Sequence, residues 1–365
     1  MVFGGAPCQG FSLIGQRALE DPRNLLVREF VRVVTELRPR YFVFENVKGL
    51  TLGRHRAFLE EIIQAVFEVG YKVQLPWKVL NASSFGVPQN RERLILLGAR
   101  RGSPLPRYPQ EVTRAAGLDK LTLPSGPSCE DALSDIPNAE DFDALIEADD
   151  VIIPRWPRVR SSYARELRGV ANDSWHYGHP REWEPTRLTS SLRTHHTEIS
   201  RRRFGRTAEG DVEPISRYLK LPKFGVSNTL RAGTDSARGA FTSPRPIHYE
   251  YLRCITVREM ARLHGFPDWF RFHVTKWHGA RQIGNSVPPP LARSVAESVF
   301  DALGVHASRP KKAIKLGDAR LLSMDGGEAA RYWGVDSPIG KRNKKSGARK
   351  RRQADIEAQL LLLGS

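Results

Sequence analysis

Apolar positions recur along the first hundred residues with two alternating periods. Leu26, Phe30, Val33 and Leu37 mark one face of a helix that Asp21 can cap, that Pro22 suits in its first turn and that Pro39 ends. Tyr41 to Phe44 is a continuous apolar run of the kind found in strands buried on both faces, and it leads straight into Glu45, Asn46 and Val47. A second helical stripe, Phe58, Leu59, Ile62, Ile63, Val66 and Phe67, is closed by Gly70. An extended segment over 71–80 and a buried strand over 93–98 follow, with Phe85 to Arg93 between them. Helix and strand alternate up to Gly98, which predicts a doubly wound α/β sheet over residues 1–100.

Past Arg100 the pattern breaks into short segments rich in Pro, Gly, Ser, Arg and Trp, with no sustained period until about Tyr251. The break predicts a second, smaller and irregular domain over 101–249. Thr256 to Glu259 has the capping-box spacing, followed by Met260, Ala261 and Leu263, and Gly265-Phe266-Pro267-Asp268 stops that helix. Leu291, Val295, Val299 and Leu303, after Pro288 to Pro290, form the stripe of a last core helix, so 250–304 reads as a return to the first domain and the globular part should finish near Gly304. In the extension over 305–365, eight of the twelve residues from Lys341 to Arg352 are basic and none is acidic, a composition suited to polyanions. Glu328 to Val335 is similar to the first half of a helix-turn-helix, but Pro338 and Gly340 stand where a second helix would begin.

Composition changes this picture in two ways. A formal net charge of +17 on 365 residues favours a polyanionic partner, with nucleic acid in the lead. No apolar run has transmembrane length, and no secretory signal peptide is expected. Cys8, Cys129 and Cys254 are odd in number and widely spaced, which argues against a disulfide framework and for a reducing, cytoplasmic setting. His176 and His179, like His195 and His196, lack companions at ligand spacing, so no metal site is expected. Arg201, Arg202 and Arg203, with aromatics such as Trp156, Trp175, Tyr177, Trp183 and Tyr218, suit phosphate contact and base packing, although a solvated basic face is the commoner meaning of such a run.

The candidate chemistry centres on Cys8. It stands in a turn flanked by Pro7 and Gly10, directly after the strand-like Met1 to Phe3. A free cysteine is usually a small buried hydrophobe. As a nucleophile it needs a lowered pKa or a partner to accept its proton. Glu45 ends the next strand, at the edge where ligand crevices of open α/β sheets form, so both residues would sit on one rim. A plain surface charge is the alternative for Glu45.

Five stretches, in order, resemble the DNA (cytosine-5)-methyltransferase family: Pro7-Cys8-Gln9 with Gly10-Phe11-Ser12, Glu45-Asn46-Val47, Gln89-Asn90-Arg91-Glu92-Arg93, Thr256 to Asp268, and Gly284-Asn285-Ser286-Val287-Pro288. The resemblance spans roughly 1–304 and implies a Rossmann-like methyltransferase sheet, with the irregular 101–249 stretch in the place of a target-recognition domain. It implies S-adenosylmethionine as cofactor and double-stranded DNA as partner. Cys8 would add to cytosine C6, and Glu45 would protonate or hydrogen-bond N3. Arg91 and Arg93 would hold O2, Glu45 or a flanking phosphate. Asn285, Ser286 and Val287 would touch the cofactor, and Gln9, Ser12 and Arg201 to Arg203 the DNA, over a base flipped out of the stack.

The chain also departs from the family pattern. The family's first glycine-rich loop and acidic cofactor residues precede its Pro-Cys turn, whereas Cys8 lies near the start here and no Gly-x-Gly occurs anywhere. The expectation is therefore a sheet lacking its amino-terminal part, in a chain that is truncated or completed by a separate amino-terminal chain. A non-catalytic DNA-binding remnant is the alternative. A transfer-RNA cytosine methyltransferase is weakened by the long 101–249 segment, and a Cys-His hydrolase by the lack of a histidine in any stretch placed near Cys8.

Overall fold

The computed structural model describes residues 1–6, 25–53, 55–118, 122–171, 178–233, 245–308 and 310–336. Cys8, Gln9 and Ser12, the cap at Asp21, the aromatics Trp175 and Tyr177, and the run from Lys341 to Arg352 lie outside the described residues. In chain order the first part contains β1 (Val2–Gly4), α1 (Leu25–Leu37), β2 (Tyr41–Val47), α2 (His55–Glu68), β3 (Tyr71–Val73), β4 (Lys78–Asn81) and β5 (Glu92–Arg100). Short elements follow: α3 (Cys129–Leu133), β6 (Val151–Ile152), α4 (Ser162–Leu167), β7 (Arg181–Glu182), β8 (Arg187–Leu188) and α5 (Glu198–Arg206). The chain closes with α6 (Val257–His264), α7 (Lys276–Asn285), α8 (Pro289–Leu303), β9 (Ile314–Lys315) and α9 (Gly326–Trp333).

The main sheet runs β1-β2-β5-β3, with β4 also pairing β5. Only β1 and β2 are parallel; β5 is antiparallel to β2, β3 and β4, so the sheet is mixed where alternation alone suggested a parallel one. The cause is the connection into β5. A parallel crossover needs a dozen or more residues and usually a helix, and between Asn81 and Glu92 there is only a single 3-10 turn, Ala82–Phe85, and a loop, so the chain doubles back. Alternation along the strands then covers both faces. Phe42, Phe44, Leu94 and Leu96 pack with α1 and α2, while Tyr41, Val43, Ile95 and Leu97 pack with Leu291, Val295 and Val299 of α8.

The stripe of α1 differs from expectation. Val27, Phe30 and Val34 are buried, whereas Leu26 and Leu37 are more than half exposed. The Phe30 ring fixes the rotation: it packs on Phe42 and Phe44, and a Cβ on Gly4 would fall 2.3 Å from it, so the ring lies directly on the β1 backbone.

The second region has its own core, and α6 and α7 belong to it. Met260, Leu263, Ala280 and Ile283 pack with Cys129, Leu133, Leu188 and Leu230, so within 250–304 it is α8 that packs on the main sheet. The Thr256–Glu259 capping box forms, and Gly265 ends α6 in the left-handed conformation. Past Gly304, where the globular part was expected to finish, the chain returns: β9 pairs with β7, and Val274 N–H donates to Leu322.

Buried arginines hold this region, a use of positive charge that the net total conceals. Arg262, fully buried, reaches Asp268 at 2.6 and 2.7 Å and Asp135 at 2.9 and 3.1 Å. Arg253 grips Glu259 through two bonds of 2.8 Å, and this pairing outweighs burial, holding the Glu259 carboxyl down to about 2. A pKa depressed in the fold stabilises above the ordinary value of 4.5 and ceases to do so as pH falls through about 2. Removing one partner of a buried pair strands the other. Arg262→Leu should therefore lower unfolding free energy by about 3–5 kcal/mol, read as a shifted urea midpoint; a change below about 1 kcal/mol would mean that Asp135 and Asp268 find other partners.

Candidate active site

At the carboxyl end of β2 a cleft of about 860 Å³ opens between the sheet and the second region. Gly5, Ala6, Glu45 and Asn46 form one wall, Asn81 and Asn90 to Arg93 a second, and Thr229, Arg231 and Ala232 with Gly284 and Asn285 a third. Glu45 and Arg93 meet for a reason set by register. Glu45 stands opposite Ile95 and Val47 opposite Arg93, so Glu45 and Arg93 are diagonal neighbours on one face, within reach of long side chains. Arg93 Nε lies 2.9 Å from Glu45 Oε1, with both side chains mostly buried. Tyr41, Val43, Ile95 and Leu97 continue the same face under α8, so the pair occupies the place where a packed core gives way to the cleft.

Burial raises the Glu45 pKa, and the nearby guanidinium groups of Arg93 and Arg91 offset only part of that rise. The carboxyl is thus easier to protonate than an exposed glutamate, while a cation stands ready to stabilise its charged form. A Cβ on Gly5 would come 3.1 Å from Glu45 Oε2, so the backbone leading to Pro7 and Cys8 runs directly past the carboxylate. Asn46 fixes that backbone: its Nδ2 donates to the Ala6 carbonyl at 3.0 Å, and its Oδ1 accepts from Val47 N at 2.9 Å.

The two arginines of the Gln-x-Arg-x-Arg stretch are separated in role. Arg93 faces Glu45. Arg91, 1% exposed, spends Nη1 on the Leu230 carbonyl at 2.8 Å and Nη2 on the carbonyls of Gly284 and Ser286 at 2.7 and 2.8 Å. Desolvation lowers its pKa to about 9, so it still carries its charge at neutral pH.

Of the three residues expected at the cofactor, Asn285 lines the cleft. The Ser286 hydroxyl turns to the Ile283 carbonyl at 2.8 Å and to His264, and Val287 packs beside the core under α8. The arginine run is divided as well. Arg201 pairs with Glu140 and Arg203 with Glu213, leaving Arg202 as the exposed member. Trp156 is stacked by Arg168 at 4.5 Å and Tyr218 packs against Phe204, Ile247 and Cys254, so these aromatics serve packing. Two of the histidines are likewise occupied: His179 Nδ1 lies 2.9 Å from the Lys312 carbonyl, and His196 accepts from Cys254 N, while His195 is exposed.

Cys129 and Cys254 are buried and free. Burial pushes the Cys129 thiol far above its usual value and the Cys254 thiol up to about 12. Neither is a thiolate at neutral pH. Thr229 and Arg231 were not anticipated at the site, because nothing periodic marks them within the irregular stretch. Asn46 and Asn90 were within motifs already singled out and could have been found there.

The model of the family described as C-5 cytosine-specific DNA methylase matches residues 1–301. The chain is 53% identical over 343 residues to the Type II methyltransferase M.XorII of Xanthomonas oryzae pv. oryzae, covering 93% of this chain and 77% of that protein. It is 31% identical over 305 residues to the Type II methyltransferase M1.HphI of Haemophilus parahaemolyticus, covering 82% and 68%. Among solved structures, a prophage-encoded protein of E. coli described as a DNA modification methyltransferase superposes with a TM-score of 0.60 at 30% identity, covering 83% of this chain and 78% of that one.

Proposed function

The chain belongs to the C-5 cytosine-specific DNA methylase family, and on that premise we propose that it methylates C5 of a cytosine flipped out of a specific duplex sequence, as the modification partner of a restriction system. The observation that supports this most directly is the Glu45–Arg93 pair in a cleft whose first wall, Gly5-Ala6, runs into Pro7-Cys8.

Cytosine C5 is too weak a nucleophile to take a methyl group unaided. The Cys8 thiolate adds to C6; a sulfur–carbon bond forms and the C5–C6 π electrons move toward C5 and the ring's N3 and O2. Glu45 gives its proton, or a hydrogen bond, to N3, and Arg93 lies beside it to stabilise charge on O2. S-adenosylmethionine, when bound, supplies an electrophilic methyl from its sulfonium. C5 takes that methyl as the methyl–sulfur bond breaks; the C5 proton then leaves to a base, its electron pair restores the C5–C6 double bond, Cys8 departs as thiolate, and N3 returns its proton to Glu45. Arg91, with both terminal nitrogens given to carbonyls, supports the walls rather than the base.

The cleft volume falls in the range of about 300–1,000 Å³ usual for small-molecule sites, and Asn285 offers an amide donor and acceptor there for the cofactor. Whether a separate amino-terminal chain contributes further contacts is answered by calorimetry with S-adenosylmethionine on this chain alone: heat of binding at micromolar cofactor removes the need for one. Methylation of plasmid DNA followed by bisulfite sequencing tests the activity. Protected cytosines at one recurrent sequence support it, and full conversion everywhere in the presence of bound cofactor would leave a DNA-binding protein without transfer.

The second region, 101–249, is proposed to choose the sequence and the basic run at 341–352 to add general affinity. Deleting residues 341–365 should weaken DNA binding and flatten its dependence on salt, with the same cytosine modified. A changed target in the bisulfite pattern would contradict that division.

A further inference from the structure

Gln89, Arg91 and His264 are buried at 0%, 1% and 0% exposure and form a closed polar junction. Gln89 Oε1 accepts from Leu230 N at 3.1 Å, which fixes the amide: Nε2 donates to the Leu263 carbonyl at 3.2 Å and lies 3.0 Å from His264 Nδ1. Since Nε2 can only donate, Nδ1 must accept, and the neutral imidazole carries its proton on Nε2. That nitrogen faces the Ser286 carbonyl at 3.2 Å and hydroxyl at 3.1 Å, and the hydroxyl donates on to Ile283. Burial and the Arg91 charge keep His264 neutral, so the donor order does not reverse near physiological pH. Arg91 adds its bonds to Leu230, Gly284 and Ser286.

Three residues of one backbone stretch therefore hold both sides of the cleft. Arg93 grips Glu45, while Gln89 and Arg91 grip Leu230 and the ends of α6 and α7. The far side has no slack, because a Cβ on Gly284 would fall 2.3 Å from Ala232 N. Resting on the methyltransferase reading, we infer that the Gln89–Arg91–His264 junction is a positioning device that sets the second region, and a duplex seated on it, in register with the Glu45 carboxyl. Arg91 and Gln89 act through their neighbours and not on the base.

Two variants test this. Gln89→Met keeps approximate shape at a residue outside the cleft, and Arg91→Lys keeps the charge while losing the fork that reaches several carbonyls. Displacement of about 1 Å costs on the order of a hundredfold in rate. In each folded variant, affinity for the target duplex should stay within about threefold of the parent while single-turnover transfer falls about ten- to a hundredfold. Amide exchange should quicken at 229–232 and 283–286 and stay unchanged in β2. Equal transfer per folded molecule in both variants, or affinity and rate falling together with the folded fraction, overturns the inference. Should one variant fail to fold, the other carries the same test. If the parent chain transfers methyl to no duplex, the functional reading fails, and the exchange pattern still decides the junction: unchanged exchange at 229–232 overturns it.

Discussion

Cys8→Ala should abolish methyl transfer and the covalent complex through which it passes. A duplex carrying 5-fluorocytosine at the target traps that complex, because the C5 substituent can no longer leave as a proton. With cofactor present, the parent chain should yield a denaturant-resistant protein–DNA band, and Cys129→Ala and Cys254→Ala should yield it too. The assignment by elimination is physical. A thiol pushed up to about 12, as at Cys254, or further still, as at Cys129, supplies essentially no thiolate at neutral pH, and neither residue lines the cleft. The first wall of the cleft ends two residues before Cys8. A band of undiminished strength from Cys8→Ala would remove it from the mechanism.

Glu45→Gln should cost about 10²–10⁴-fold in kcat/KM and change the shape of the pH profile. Two groups act in opposite protonation states: Cys8 must lose a proton, and Glu45 must keep one. The parent profile should therefore be bell-shaped, with an alkaline limb that exists because Glu45, its pKa raised by burial, loses its proton. An amide does not titrate, so the variant should keep only the limb that rises with pH. Retention of the alkaline limb would assign it to another group. Stability carries the matching sign. Since the fold raises this pKa, the native state holds its proton more tightly, and the contribution of Glu45 to stability is greatest at low pH and lost as pH rises through the raised value. The Glu45→Gln substitution should remove that dependence, which denaturant midpoints across pH would reveal.

Much of the sheet was legible because its strands are apolar runs that must be buried, as Tyr41 to Phe44 and Leu94 to Leu97 are. The direction of β5 was not, since the run of apolar residues is the same in either direction and only the short connection decides. The face of α1 slipped by one residue because Leu26 and Val27 are both apolar and only the seat of Phe30 distinguishes them. At the site, Glu45 stood out as a carboxylate at a strand end, while Arg93 came only from the resemblance to the family; the structure brings the two within 2.9 Å. Arg91 and Arg203 were harder: an arginine promised to a carbonyl or a carboxylate of its own chain looks, in sequence, like one offered to DNA. The Ser286 hydroxyl is likewise taken up within the chain, by His264 and Ile283, which its sequence does not reveal.

The long sequence separations across the cleft also set a timetable for its appearance in a growing polypeptide. Arg91 and the carbonyl of Gly284 that it holds are 193 residues apart, which at ordinary translation rates of about 5–20 residues per second is roughly 10–40 s of synthesis. For nearly all of that interval Glu45 and Arg93 are already made, yet the third wall still lacks Gly284 and Asn285. A chain released before Gly284 keeps Glu45 and Arg93 and lacks the side of the cleft that Arg91 holds.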